Sequence, residues 1–231
     1  MIEQRILKRK ALDAFDTNEG VAEQIAHFKL CYEYNRDSKF TLLDIGGGGG
    51  YFISALQREY PNMRATILDL DNLAIEKAAS NGLNGIVGSV LNPPSQLTSQ
   101  KFDVICFNLV LHHIIATKDS DTRKLQSLAL FNARAISSVG GSIFIHEICY
   151  EGRFFSGSSS AIIFHILTNA LLSKMTLFIS KYVPSLKANT LGVGVRYRAY
   201  DAWVKLIKLS GYNIAQECKS GKEGHSFVRR V

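Results

Sequence analysis

Five consecutive glycines, Gly46 to Gly50, follow the apolar run Phe40-Thr41-Leu42-Leu43-Asp44-Ile45 and lead into a helix predicted from about Tyr51 to Glu59 and stopped by Pro61. A glycine run between a buried strand and a helix lets a ligand approach the backbone closely, because no Cβ stands in the way. In an open α/β sheet, ligands lie beyond the carboxyl ends of the strands, where the strand order reverses. A ligand is therefore expected over Gly46–Gly50.

The rest of the chain supplies the alternation such a sheet requires. Arg64 to Leu68 reads as a second strand ending at Asp69, followed by a helix around Leu73 to Ser80 that stops at Asn81-Gly82. A short strand at Gly85 to Gly88 leads to the turn Asn92-Pro93-Pro94-Ser95. Phe102 to Phe107 reads as a buried strand running into Leu111-His112-His113. Asp119-Ser120-Asp121 is the expected cap of a helix from Thr122 to Ser137, and Gly140-Gly141 turns into a strand from Ser142 to Ile148. Near-continuous apolar strands of this kind are buried on both faces, in a parallel sheet covered by helices.

After Tyr150 the pattern breaks. Residues 151–195 contain the apolar stretches Ala161 to Leu172 and Ser173 to Ser180. Lys174, His165 and Asn169 argue against a membrane span, and two helices over the carboxyl end of the sheet explain the stretch better. Met175, Phe164 and Phe178 then read as core. Ala199 to Leu209 is a further helix ending at Ser210-Gly211, and Asn213 to Glu217 with Ser226 to Val231 reads as an antiparallel hairpin. Upstream, Leu12 to Tyr34 reads as helix, with Asp16 or Thr17 as cap and Val21, Ile25, Phe28 and Cys31 as its apolar residues.

The 231 residues, 46% hydrophobic and 20% charged, suffice for one globular domain with a sizeable core. The four cysteines, Cys31, Cys106, Cys149 and Cys218, form no CxxC pair and have no histidine cluster beside them, so no metal site is expected. Cys106 and Cys149 sit in apolar runs and read as small buried hydrophobes. This usage is not a disulfide framework, and a cytoplasmic, reducing location is expected. The charged segment Met1 to Lys10 lacks the apolar stretch of a signal peptide. The net charge is +7, with basic residues at Lys8, Arg9, Lys10, Arg196, Arg198, Lys205, Lys208, Arg229 and Arg230. A solvated face is the plain reading, and attraction to an anionic substrate, nucleic acid or membrane surface is the alternative.

The glycine loop discriminates between ligands. In a dinucleotide GxGxxG register the third glycine would fall on Tyr51, Phe52 or Ile53, and each register fails. The pattern D-x-G-x-G-x-G fits without gaps at Asp44, Gly46, Gly48 and Gly50. Here the chain resembles the class I S-adenosylmethionine-dependent methyltransferases, small-molecule and O-methyltransferase-like, with Leu43 to Phe52 similar to their first motif. The resemblance implies an α/β fold: a Rossmann-like, doubly wound, mostly parallel sheet with an antiparallel C-terminal hairpin and a helical lid insertion. It implies S-adenosyl-L-methionine as cofactor and S-adenosyl-L-homocysteine as product. Asp44 would attract the ammonium group, with Gly46, Gly48, Gly50 and Tyr51 around it. Asp69-Leu70-Asp71 is similar to the second motif, with Asp69 on the ribose hydroxyls and Leu70 beside it. Ser89, in Gly88-Ser89, stands where the family often has an acid near the adenine, and it carries no charge. Asn108 and Leu109 would border the cofactor.

Phe102 to His113 is similar to the family's fourth motif. His112 falls where plant-type O-methyltransferases keep their general base, and His113 is the second candidate. Ile145-His146-Glu147-Ile148-Cys149 resembles the strand whose acid orients that base, with Glu147 at the matching position. Histidine suits the task because its pKa lies near neutrality; shaping the pocket is the alternative role. His146, Tyr150, Phe164 and Arg196 are the candidate substrate contacts, Arg196 for an acidic group or else as a surface arginine. Asn92-Pro93-Pro94-Ser95 is similar to the NPP motif of methyltransferases acting on DNA bases, but Ser95 replaces the aromatic.

One domain spanning 1–231 is expected. Within it lie N-terminal helices (1–38), a cofactor-binding core (39–150), a helical substrate lid (151–195) and a C-terminal helix and hairpin (196–231). The expected function is methyl transfer to a small molecule, at a hydroxyl oxygen, with histidine assistance. The alternatives are a nucleic-acid or protein methyltransferase, and a cofactor-binding scaffold or cyclase on the same fold. A nucleic-acid partner is not expected, nor is a transmembrane segment; peripheral membrane contact stays open. The large dimerisation region of plant-type enzymes has no counterpart in the N-terminal stretch, so dimerisation is not carried over.

Overall fold

The computed structural model describes residues 2–6, 20–150, 158–169, 171–172, 195–219 and 224–230. In chain order the described elements are α1 (Val21–Cys31), β1 (Thr41–Ile45), α2 (Tyr51–Glu59), β2 (Arg64–Asp69), α3 (Asn72–Ser80), β3 (Asn84–Val87) and the short α4 (Ser95–Thr98). Then come β4 (Phe102–Asn108), a 3-10 turn (Leu111–His113), α5 (Asp119–Ala135), β5 (Ser137–Ile148), α6 (Ser158–Thr168), α7 (Tyr200–Leu209), β6 (Gln216–Lys219) and β7 (Gly224–Arg230).

The strands form one sheet in the order β3-β2-β1-β4-β5-β7-β6. The first five are parallel, and β7 runs antiparallel to both β5 and β6. The chain steps outward from β1 to β3, then crosses back to β4 on the other side of β1. The carboxyl ends of β1 and β4 thus flank the reversal point, and the glycine run leaves β1 there.

Strand alternation sorts side chains onto two faces. Leu43, Ile45, Ile105, Phe107, Ile143 and Ile145 pack with Leu125, Ala129 and Leu130 of α5 and Trp203, Leu206 and Ile207 of α7. On the other face Leu42, Val104, Cys106 and Phe144 pack with α1, α2 and α3 through Phe28, Phe52, Leu56 and Ile75. Phe28 anchors α1: its ring lies 4.5 Å from Tyr32, 5.6 Å from Phe144, 6.1 Å from Phe52 and 6.2 Å from Tyr60, centre to centre.

Several boundaries differ from the sequence reading. Helix α5 starts at Asp119, and no side chain caps it. Asp119 and Asp121 lie in its first turn, where carboxylates favour the helix dipole, and Asp119 is turned toward Arg196. The expected turn at Gly140-Gly141 is a bulge inside β5. Phe102 pairs with Ser137 but Val104 pairs with Ser142, so the intervening residues loop out of the ladder, with Gly140 at φ 75°. The C-terminal pair is antiparallel as expected, yet β7 lies between β5 and β6. The short helix α4 had no periodic signal. Helix α6 bears out helical structure after residue 151. The expected helix start at Leu12–Thr17 and the second lid stretch with Lys174, Met175 and Phe178 lie outside the described residues. Among the described residues, no helix is long and apolar enough to cross a membrane.

Truncating Phe28 to alanine is expected to cost about 3–5 kcal/mol in urea unfolding, because the ring cluster cannot close over the space. Leu30→Ala, two residues along the same helix but 63% exposed, is expected to change stability by less than about 0.5 kcal/mol.

Candidate functional site

The carboxyl ends of β1, β2 and β4 hold the first group of polar residues. Asp44 is buried near the end of β1, and its Oδ1 accepts from Asn108 Nδ2 at 3.2 Å. Asp44 Oδ2 and Asn108 Oδ1 are buried and take no hydrogen bond among the described residues. Burial pushes the Asp44 carboxyl up to about 7, the Asn108 hydrogen bond pulls the other way, and the charge of Asp69 adds to the rise. Gly46 turns the chain at φ 72°, and a Cβ there would sit 2.4 Å from Val110 Cγ2. Gly50 ends the loop in the left-handed conformation as the residue preceding α2.

Asp69 ties the loop to the next helix. Its Oδ2 accepts from Gly48 N and its Oδ1 from Asp71 N, both at 2.9 Å. Asp71 caps α3 by accepting from Leu73 N. The Asp69 carboxylate keeps lone-pair capacity for another donor. Burial raises the Asp69 pKa above the ordinary carboxylate value, helped by the charge of Asp71 and against the pull of the backbone amides of Asp71, Gly48 and Leu70. Leu70 is half exposed beside it. The Tyr51 hydroxyl accepts from Lys77 Nζ at 2.8 Å. Ser89 turns its oxygen to Leu91 N, which closes its own turn.

The second group begins where β4 ends. Leu109 stands at φ 54°, a conformation costing a non-glycine residue about 1–2 kcal/mol. Its N–H is held by the His146 carbonyl at 2.8 Å. The turn brings Leu111–His113 back over β5, where Glu147 is completely buried. Glu147 Oε1 accepts from Leu111 N at 2.7 Å and from His112 N at 3.3 Å, and Oε2 lies 2.6 Å from His112 Nδ1. A carboxylate only accepts, so the ring proton belongs on Nδ1, and Nε2 of the neutral imidazole is left as an acceptor. His113 packs against His112 with ring centres 4.2 Å apart. Burial and the neighbouring His112 hold its pKa well below the ordinary imidazole value.

The segment Val195–Ala199 runs across this turn as a strap. Arg196 N donates to the His112 carbonyl, and the Arg198 carbonyl accepts from Tyr150 N. Arg196 Nε donates to Asp119 Oδ1 at 2.7 Å and Nη1 to the Tyr197 carbonyl at 2.8 Å. Arg198 donates twice to Gln126 Oε1, and Gln126 Nε2 donates to the Leu111 carbonyl. Burial raises the Asp119 carboxyl, but Arg196, Arg198 and Arg123 outweigh it and hold the pKa below its ordinary value. The Tyr197 ring lies 5.1 Å from that of His112.

His112, His113 and Glu147 therefore come together, as do Asp44, Gly48, Asp69 and Asn108. Two candidate substrate contacts take other partners. His146 neighbours Glu147 in sequence, but strand alternation sends it to the opposite face, where its Nδ1 is 3.3 Å from His27 Nδ1. Burial and His27 lower its pKa to about 4. Arg196 is not a surface arginine: it is buried and paired with Asp119. Phe164 is fully buried with its ring 5.7 Å from the Arg196 guanidinium, and Tyr150 is partly exposed. Sequence reasoning missed His27, Asp119, Gln126 and Tyr197; Asp119 reads as a helix cap, and the others carry no local signal. Among the described residues, no group of three histidine, cysteine or acidic side chains is placed to hold a metal ion.

Residues 43–133 match a family model described as a methyltransferase domain. The O-methyltransferase aclM of Aspergillus oryzae is 54% identical over 51 residues, covering 22% of this chain and 12% of that one. The ribosomal RNA small subunit methyltransferase C of Serratia proteamaculans is 31% identical over 114 residues, 48% of this chain and 32% of that one. The chain thus spans a third or less of these relatives. A solved O-methyltransferase family 2 protein of Planctomyces limnophilus, in complex with apigenin, shares the fold with a TM-score of 0.59 at 20% identity, over 96% of this chain and 62% of that one.

The Asp44 carboxyl sets a pH dependence. Its folded pKa of about 7 lies above the ordinary 3.8, so between those values the folded state keeps a proton that the unfolded chain has released. Stability is then lost as pH rises through that window. Asp44→Asn is expected to stabilise the protein at pH 8 by about 2–4 kcal/mol and much less at pH 5, measured as urea midpoints. An equal effect at both values would refute this.

Proposed function

We propose that the chain, whose residues 43–133 match a methyltransferase-domain model, is a class I S-adenosylmethionine-dependent methyltransferase that transfers the methyl group to a hydroxyl oxygen of a small molecule, with His112 as general base. The observation that carries this reading is the buried contact between His112 Nδ1 and Glu147 Oε2 at 2.6 Å, on the turn directly after the strand that ends in Asn108.

The residues present fit the cofactor. Asp44 Oδ2 and Asn108 Oδ1, two buried acceptors without a hydrogen bond among the described residues, suit an ammonium group, and Asp69 has lone pairs left for a ribose diol. When bound, S-adenosylmethionine supplies an electrophilic methyl group on sulfur, and S-adenosylhomocysteine is the product. His112 Nε2 takes the acceptor's proton. Glu147 keeps the other ring proton on Nδ1, fixes the ring plane and stabilises the imidazolium that forms, while holding the turn by two backbone hydrogen bonds. Holding the reacting groups in line is the larger task and accounts for about 7–11 kcal/mol of barrier in well-oriented reactions. Asp44, Asp69 and the glycine loop do this for the cofactor. Tyr150 and Phe164 belong to the acceptor side, and Arg196 braces the His112 turn through its backbone. The relatives named O-methyltransferases support an oxygen acceptor.

A second reading, methylation of a nucleic-acid base, is favoured by the relatives named for ribosomal RNA and by the net charge of +7. Against it, Asn92-Pro93-Pro94 lies in the turn after β3, where Asn132 holds the neighbouring Val90 and Leu91 carbonyls. Steep salt dependence of RNA binding would favour this second reading.

Isothermal titration with S-adenosylmethionine and S-adenosylhomocysteine is expected to show binding that Asp69→Ala weakens at least about 10-fold. A wild-type protein that binds neither, with or without acceptor, would end this reading. With a hydroxylated acceptor in hand, His112→Ala is expected to leave cofactor affinity within about 2-fold and lower kcat by about 10²–10⁴-fold. Unchanged kcat would make His112 a packing residue.

A further inference from the structure

Two thiols from opposite ends of the chain meet at the edge of the sheet. Cys31 is the last residue of α1 and Cys218 lies in β6, and their Sγ atoms are 3.6 Å apart. Gln216 Nε2 donates to the Leu30 carbonyl at 2.8 Å, so the two elements are pinned one and two residues away from the sulfurs. Both cysteines are half-buried, unlike Cys106, which is sealed inside the sheet. A disulfide bond is about 2.05 Å long, so the sulfurs have about 1.5 Å to close, within reach of side-chain rotation with both backbones already held together.

We infer that Cys31 and Cys218 are a disulfide-forming pair, a site of two-electron oxidation by a low-molecular-weight disulfide, which staples α1 to the C-terminal strands. One protein thiolate attacks a sulfur of the small disulfide, breaking its S–S bond and releasing one small thiolate. The second protein thiolate attacks the protein sulfur of the mixed disulfide and releases the other. Two protein thiols are oxidised, one small disulfide is reduced to two thiols, and the two protons go to solvent or to the departing thiolates. Burial, with Cys218 alongside, pushes the Cys31 thiol above its ordinary pKa, so exchange speeds up toward alkaline pH. The staple encloses most of the chain in one loop, the arrangement in which a cross-link restricts the unfolded state most. It fixes α1, which brings His27 against His146. Nothing in this depends on methyl transfer.

The test uses the full chain incubated with oxidised glutathione at pH 8, then denatured, alkylated and weighed. Two thiols of the four are expected to disappear without added glutathione mass, and digestion is expected to yield one peptide pair joined through Cys31 and Cys218. The melting temperature should rise by about 5–10 °C, return with dithiothreitol, and stay unmoved by the oxidant in Cys31→Ser and Cys218→Ser. Four intact thiols, glutathione capping each cysteine separately, or a cross-link through Cys149 would overturn the inference. These outcomes are read on the wild-type chain, so they hold even if a serine variant fails to fold.

Discussion

The Glu147 carboxylate is the contact on which the second half of the site depends. A fully buried acid is costly unless its oxygens are satisfied, and here they take Leu111 N, His112 N and His112 Nδ1. That one group orients the imidazole and holds the turn carrying it. It also explains how Leu109 is kept at a positive φ: the strained residue lies between a backbone bond to His146 and the two backbone bonds to Glu147, so the surrounding structure over-determines it.

The sheet divides the chemistry by strand alternation. Asp44, Asn108 and His146 share one face with α1 and α2, whereas Glu147 points to the face covered by α5 and α7, where it meets His112. A ligand seated over the glycine loop at the reversal point lies between the two groups. The two polar groups therefore come from different faces of one sheet without competing for the same side chains. Register enforces the separation, since Asn108 and His146 are directly paired across β4 and β5 while the neighbouring Glu147 must face away.

The Val195–Ala199 strap carries two buried arginines, Arg196 and Arg198. Two buried guanidiniums are placed beside Asp119 and Gln126, and burial pulls the Arg198 pKa down to about 10. Removing either partner would leave a buried charge uncompensated, which costs more than the pair is worth in isolation. The strap thus links the start of α5 to the turn of His112, through Arg196 to Asp119 and to the His112 carbonyl.

Much of this was legible in the chain itself. The parallel sheet follows from apolar strands alternating with helices, and the placement of Asp44 and Asp69 follows from where strands β1 and β2 must stop. The glycine loop announces itself because five consecutive glycines between a strand and a helix leave no Cβ between the backbone and a ligand. These are local requirements, written in consecutive residues. What only the tertiary structure decided are partnerships between distant segments: His112 with Glu147, Arg196 with Asp119, His146 with His27, Cys31 with Cys218. A one-residue step along β5 separates His146 from Glu147 and sends them to opposite faces. No periodicity in the sequence states which helix covers each face, because that choice is made by the packing of the whole sheet.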